Sequence, residues 1–170
     1  MEKARCGRLD SEPNRKKWKL TFVDTRPKYE TKEDLFNEGG IIKFVSNKWN
    51  VNFSKLPISY KLDYAMYRNK SLMGFCEVKR RKYRQSDFNT YMISLDKVIQ
   101  AKLLATTTKT KSVLIVSWID KMGWIDLRDK FVCNEGGRRD RNDWQDVEPV
   151  CHFRIDRFRD IKMSDGLIKI

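Results

Sequence analysis

Two apolar runs separated by a polar break stand out in the hydrophobic pattern. Leu62-Asp63-Tyr64-Ala65-Met66-Tyr67 leads into Arg68-Asn69-Lys70-Ser71, and Leu72-Met73-Gly74-Phe75-Cys76-Glu77-Val78-Lys79 follows. This pattern predicts two strands joined by a hairpin turn. Upstream, Leu35, Ile42, Val45 and Trp49 recur at helical spacing and predict a helix from about Thr31 to Lys48. Thr31 is a plausible N-cap with Asp34 three residues on, and Glu33 and Asp34 suit the positive end of the helix dipole. Gly39-Gly40 weakens this helix by roughly 1 kcal/mol per glycine relative to alanine and would let another backbone approach closely. Downstream, Met92, Leu95, Ile99 and Leu103, broadened by Val98, Ala101 and Ala105, predict a second helix over about Thr90 to Thr106. Ser112 to Ile119 reads as a buried strand, and Lys121-Met122-Gly123 as a turn into a strand at Trp124 to Leu127. Cys151 to Phe158 reads as a final edge strand, and Trp18 to Val23 as an additional one. A sheet flanked by helices makes the class α/β or α+β.

The hairpin carries the candidate chemistry. Strand side chains alternate faces, so Glu77 and Lys79 emerge together. Across the turn, Asp63 lies opposite Cys76 or Glu77, depending on loop length. Asp63, Glu77 and Lys79 then converge on one patch. Two carboxylates form a hard, oxygen-rich site suited to Mg²⁺ or Mn²⁺, and a neighbouring lysine can stabilise negative charge or orient a water. The plainer reading is a solvent face with a cross-strand ion pair. The apolar surroundings Leu62, Phe75, Cys76 and Val78 weigh against it. Glu38 lies on the core stripe of the first helix, where a carboxylate is costly unless paired or metal-bound. Its plainer reading places it at the stripe's edge or in an ion pair with a lysine. On the second helix Ser94 and Lys97 are three apart and share a side.

Charge adds a partner. The chain of 170 residues has 36 Lys and Arg against 23 acids, a net +13, and such a balance suggests nucleic acid. The densest basic cluster, Arg80, Arg81, Lys82 and Arg84, directly follows the candidate strand and is placed to hold phosphates. Tyr83, Phe88 and Tyr91 are candidates to stack on unpaired bases. A solvated basic loop beside core aromatics is the alternative. No sequence-reading motif is present, which favours recognition of backbone or shape.

At this length one domain is expected over 18–170, preceded by a flexible polar segment 1–17 and interrupted by a mobile loop at 134–148 that carries Trp144. No run of 18 apolar residues and no apolar leader at Met1 to Asp10 appear, so neither a membrane span nor a secretory signal is expected. Cys6, Cys76, Cys133 and Cys151 form no CxxC pair and read as reduced thiols in a cytoplasmic protein. Cys133, Cys151 and His152 lack a fourth ligand for zinc.

The order helix Glu38, strand Asp63, then Glu77-X-Lys79 resembles the PD-(D/E)XK nuclease superfamily. The run Lys55 to Tyr64, the run Tyr91 to Lys97 and Val113 to Trp118 are similar to its small phage-encoded members. The resemblance covers about Asp34 to Leu127. Leu62, and not proline, precedes Asp63, and the proline of this region is Pro57. The resemblance implies a restriction-endonuclease-like core, with a mixed sheet of four or more strands between helices. It implies Mg²⁺- or Mn²⁺-dependent cleavage of nucleic acid, usually DNA. Asp63 and Glu77 would hold the ion with the Val78 carbonyl, and Lys79 would serve the attacking water or the phosphorane. Glu38 would contact the metal directly or through water, and Lys97 a phosphate or water. An endonuclease of phage or mobile-element replication or recombination is the expectation. A binding module without cleavage and an exonuclease are the alternatives. A homodimer would match two-fold symmetric substrates such as junctions.

Overall fold

The computed structural model describes residues 32–137 and 147–161. Segment 1–17, Trp18 to Val23, Thr31 and Trp144 lie outside them. Helix α1 spans Lys32–Trp49. Ile41, Val45 and Trp49 are its buried stripe, with Ile42 half-buried on its flank. They pack on Cys76 and Val78 of β3 (Ser71–Arg80) and on Val113 and Ile115 of β5 (Lys111–Ser117). The intervening residues Phe75, Leu114 and Val116 face the other way. There they meet Val98 and Ala101 of α2 (Leu95–Thr108). Each central strand is apolar on both faces because each face carries a helix.

The remaining strands of this sheet are β1 (Asn52–Lys55), β2 (Tyr64–Arg68), β6 (Met122–Asp126) and β9 (Arg159–Asp160). Six strands run in the order β1-β2-β3-β5-β6-β9. Among the described residues only β3 and β5 pair in parallel. A parallel neighbour requires a crossover connection, and here β4 (Thr90–Ser94) with α2 forms it. β4 belongs to a second, antiparallel sheet of order β4-β8-β7, with β7 at Val132–Gly137 and β8 at Val147–Arg154. Its inner residues Tyr91, Ile93, Cys151 and Phe153 join the core beneath α2. The architecture is therefore α+β, with the expected mixed sheet between two helices.

The β2–β3 hairpin is irregular in a consequential way. Asn69 and Lys70 both have positive φ, 48° and 66°, and form a two-residue turn closed by the pair Arg68↔Ser71. Such a turn matches the right-handed twist of the flanking strands. The register then shifts. Tyr67 pairs with Leu72, but Met66 pairs with Gly74, so Met73 is an extra residue in β3. Tyr64 pairs with Cys76. Carried one residue further, this register sets Asp63 opposite Glu77. A regular ladder from the same turn would oppose Asp63 to Cys76 and put Glu77 on the other face. Gly74 makes the bulge feasible. Its φ is 155°, and a Cβ there would lie 2.2 Å from the Lys111 carbonyl oxygen.

Several expectations need correction. Thr90 to Ser94 is not the start of the second helix. Tyr91 and Ile93 alternate with exposed neighbours and pair with Phe153 and Cys151 of β8, so these five residues form a strand. The stripe Met92, Ile99 and Leu103 is correspondingly exposed, and the core face of α2 is Val98, Ala101 and Ala105. Cys151 to Phe158 is not an edge strand. β8 lies between two partners and ends at Arg154, and a 3-10 turn Ile155–Arg157 follows. Residues 134–137 and 147–148 of the expected loop are strand. No atom lies within 4 Å of a Cβ built on Gly39 or Gly40, so among the described residues nothing approaches them closely.

Two glycine substitutions should therefore move stability in opposite directions. Gly74→Ala should cost about 2 kcal/mol or more, from backbone strain and the collision with Lys111. Gly39→Ala should add up to about 1 kcal/mol. Urea denaturation followed by circular dichroism measures both. A neutral Gly74→Ala would show that the bulge is dispensable.

Candidate active site

Asp63 and Glu77 are both buried, Glu77 completely. The Val78 backbone N–H donates to Asp63 Oδ2 at 2.7 Å, which fixes that carboxylate across the hairpin. Lys79 Nζ lies 2.6 Å from Glu77 Oε1 and 3.9 Å from Asp63 Oδ2. The three residues proposed from strand alternation thus come together. From the opposite end Lys97 Nζ, on the first turn of α2, donates to Glu77 Oε2 at 2.9 Å.

Glu38 reaches the same patch from α1, through a residue the sequence reading assigned no role. Lys55, the last residue of β1, donates to Glu38 Oε2 at 2.9 Å and stands 4.0 Å from Asp63 Oδ1. Its ammonium also sits 4.7 Å from the Tyr64 ring centroid, and the Tyr64 hydroxyl donates to the same Glu38 oxygen at 3.3 Å. The signal was present in the alternation of Val51-Asn52-Phe53-Ser54-Lys55, which marks a strand whose last residue pairs with Tyr64. The site is therefore a row of alternating charge: Glu38, Lys55, Asp63, Lys79, Glu77, Lys97. Each carboxylate touches at least one lysine.

Burial raises the pKa of Glu77, with Lys79 pulling against it. Burial would lower Lys79, but Glu77 and Asp63 outweigh it and raise its pKa. Lys79 thus keeps its proton at neutral pH. Tyr64 is pushed up to about 12 by burial, and Glu38 adds to the shift against Lys55.

The other candidate residues divide. Arg80 donates to the Asn37 side chain of α1, and Arg81 lies half-buried with its guanidinium 5.0 Å from the Tyr91 ring centroid. Lys82 and Arg84 are exposed. Tyr91 is not available to stack on a base. It is 2% exposed, and it packs against Trp118 and Phe158 in the core. Lys97 contacts the Glu77 carboxylate. Ser94 is directed away from the row and donates to Glu148 Oε2 at 3.0 Å.

The donor set suits a hard divalent cation. Glu77 Oε1 is buried with the Lys79 ammonium 2.6 Å away, and a buried carboxylate oxygen so placed is a donor type that a hard cation takes. Asp63 and Glu77 supply oxygens on adjacent strands beside the Val78 backbone. Among the described residues no three acids, histidines or cysteines form a closed metal cage. Glu38 stands back, with Lys55 between it and Asp63.

The chain is similar to known proteins in family and in fold. A family model described as "Phage putative PDDEXK endonuclease" matches residues 24–161. The chain is similar in structure to Hjc, a Holliday junction resolvase from the archaeal hyperthermophile Archaeoglobus fulgidus, with a TM-score of 0.53. That match is 10% identical and covers 76% of this chain and 92% of the resolvase. No curated protein matches in sequence.

The charge row has a pH signature. A carboxyl with a raised folded-state pKa favours folding below its ordinary value and opposes it once the pH has risen through the raised value. Removing Lys97 raises Glu77 further. Lys97→Met should cost about 1–2 kcal/mol at pH 8, below the usual cost of breaking a buried pair because Lys79 remains and Lys97 is partly exposed. The penalty should fade as Glu77 protonates toward pH 4.5. Urea melts at three pH values test this, and a pH-independent penalty would assign the loss to packing.

Proposed function

Since the chain belongs to the family of phage PDDEXK endonucleases, we propose that it is a Mg²⁺- or Mn²⁺-dependent deoxyribonuclease that cuts within DNA strands. The observation that carries this reading is the convergence of Asp63, Glu77 and Lys79 on one patch. Asp63 and Glu77, with the Val78 carbonyl, would hold the cation. When bound, the cation offsets charge on the scissile phosphate and makes a bound water more acidic.

The protein's own groups divide the remaining work. Lys79 holds its proton beside two carboxylates, so its part is to donate a hydrogen bond and to stabilise the negative charge that develops on the phosphorane. Lys97 and Lys55 neutralise Glu77, Asp63 and Glu38 in the structure described here. Binding a cation and a phosphate changes that balance. These lysines are then placed to turn toward phosphate oxygens as carboxylate charge is taken up. Glu38 acts as an outer carboxylate that keeps Lys55 in position.

DNA is the proposed substrate, and its backbone the main handle. A net charge of +13 gives the chain affinity for phosphate that should fall steeply with salt. Lys82 and Arg84 are exposed just beyond Lys79. The reading extends to a role in phage replication or recombination, supported by the phage family and by the branched DNA such processes produce. The structural relative is a Holliday junction resolvase, which makes a four-way junction one substrate to test.

The test is a panel of labelled single-stranded, duplex, flap and four-way-junction DNA, plus RNA, with Mg²⁺ or Mn²⁺ and EDTA controls. Glu77→Ala and Lys79→Ala should each lower cleavage by about 100-fold or more. Lys79→Arg should retain more activity than Lys79→Ala, because an arginine keeps the charge and cannot act as a base. Calorimetry with Mn²⁺ should show binding lost in Asp63→Ala and Glu77→Ala. Cleavage untouched by either alanine variant at Glu77 or Lys79 would sink the assignment.

A further inference from the structure

Beside the β5–β6 turn opens a groove of about 790 Å³ that none of Asp63, Glu77 and Lys79 lines. We infer that it receives an unpaired nucleobase of the DNA strand held along the Arg80 to Arg84 loop. The inference rests on the nuclease reading above and narrows its substrate to DNA with unpaired nucleotides.

The lining selects the ligand. Phe88 and Ile155 supply apolar wall, Gln85 and Asn89 supply side-chain amides, and Ser86 and Thr90 supply hydroxyls. The groove's cations are balanced. Arg154 is paired through both ends of its guanidinium with Asp156, and Lys121 stands 3.9 Å from Asp160. A phosphate therefore gains little there. A flat, neutral ring with a hydrogen-bonding edge suits a groove with an aromatic wall and paired amides.

Position supports the same ligand. The chain runs from Lys79 through Arg80, Arg81, Lys82 and Arg84 directly into Gln85 on the groove wall. Gln85 lies six positions after Lys79, a reach of at most about 20 Å, which is a few nucleotides of strand. Phosphates would lie along the basic stretch, and a base would turn into the groove at its end.

The loop is also fixed in place before any ligand arrives. The Arg81 N–H donates to the Ser117 carbonyl at 2.8 Å, and the Ile119 N–H to the Tyr83 carbonyl at 3.2 Å. The Gln85 N–H donates to Asp120 Oδ1 at 3.1 Å, and the Ile155 N–H to the Asn89 carbonyl at 3.0 Å. Despite these restraints, Phe88 remains 55% exposed, with Tyr83 against its ring at 4.9 Å. A large aromatic held by its neighbour and facing open space on a rigid loop is pre-organised for stacking.

The experiment places 2-aminopurine in an unpaired bulge of a duplex, with a fully paired duplex as reference. Both are titrated in EDTA with the full chain, so the readout is binding and does not depend on cleavage. Wild type should bind the bulged DNA more tightly and change its 2-aminopurine fluorescence. Phe88→Ala should reduce the ratio of the two affinities by about 10-fold, and Phe88→Trp should retain it. Asn89→Ala, also exposed, should reduce it less. Equal wild-type affinities, or a ratio unmoved by both alanine variants, would overturn the groove assignment. An active nuclease with that outcome leaves the catalytic reading standing. A bulge preference in a chain that cuts nothing would uphold the groove and remove the nuclease.

Discussion

One extra residue in β3 sets the geometry on which the site depends. The two-residue turn at Asn69-Lys70 fixes where β2 and β3 begin to pair, and on its own it would put Asp63 and Glu77 on opposite faces of the sheet. Met73, accommodated by the backbone of Gly74, moves the register by one residue and brings the two carboxylates to one face. Because strand side chains alternate with a period of 2, no intermediate outcome exists. Glu77 and Lys79 share a face of β3 whatever the register, and this choice decides whether Asp63 joins them. The close contact between Gly74 and Lys111 also ties the bulge to β5, so the register of the parallel pair and that of the hairpin are set at one point.

The charge row explains how a fold this small tolerates a fully buried carboxylate. Glu77 costs stability when ionised, and its raised pKa expresses that cost. Lys79 and Lys97 offset part of it from opposite ends. Ion pairs of this kind rarely stabilise a fold more than apolar packing of equal volume would. Their presence is better understood as a requirement of chemistry than of folding. Between them they meet both of its oxygens, Lys79 at Oε1 and Lys97 at Oε2.

Much of this was legible in the chain because it depends on short-range periodicity. The hairpin, α1, β5 and β6 follow from local pattern, although the buried stripe of α1 runs through Ile41 where the sequence pattern puts Ile42. The failures have a common cause. Tyr91-Met92-Ile93 reads equally well as a helix turn or as an alternating strand, and only the pairing with β8, about sixty residues away, decides it. Once those residues are taken as helix, the stripe centres on exposed Ile99 and Leu103, and Val98, Ala101 and Ala105, the true core face, become only its margin. Lys55 was overlooked for a similar reason, since β1 has four residues and its role depends on what lies across from it. The register of Asp63 stayed open between two partners because a bulge is a property of the paired strands, and Gly74 alone does not announce one.

The same long-range pairing explains why Lys97 arrives at Glu77. Ser94 is the last residue of β4, and Leu95 begins α2. The strand is anchored across β8, and its end residue is bonded to Glu148, so the first turn of the helix has a fixed starting point. Lys97 follows two residues later and projects toward β3 across the core shared by Val98, Leu114 and Val116. The second sheet therefore serves the site at a distance. It buries Tyr91 and Phe153, which could otherwise have met a ligand, and uses that burial to position one lysine. The basic loop from Arg80 to Arg84 is restrained from the other side by β5 and the residues after it. The basic loop and the charge row thus sit on elements braced by different parts of the fold, and Lys79 lies at the junction between them.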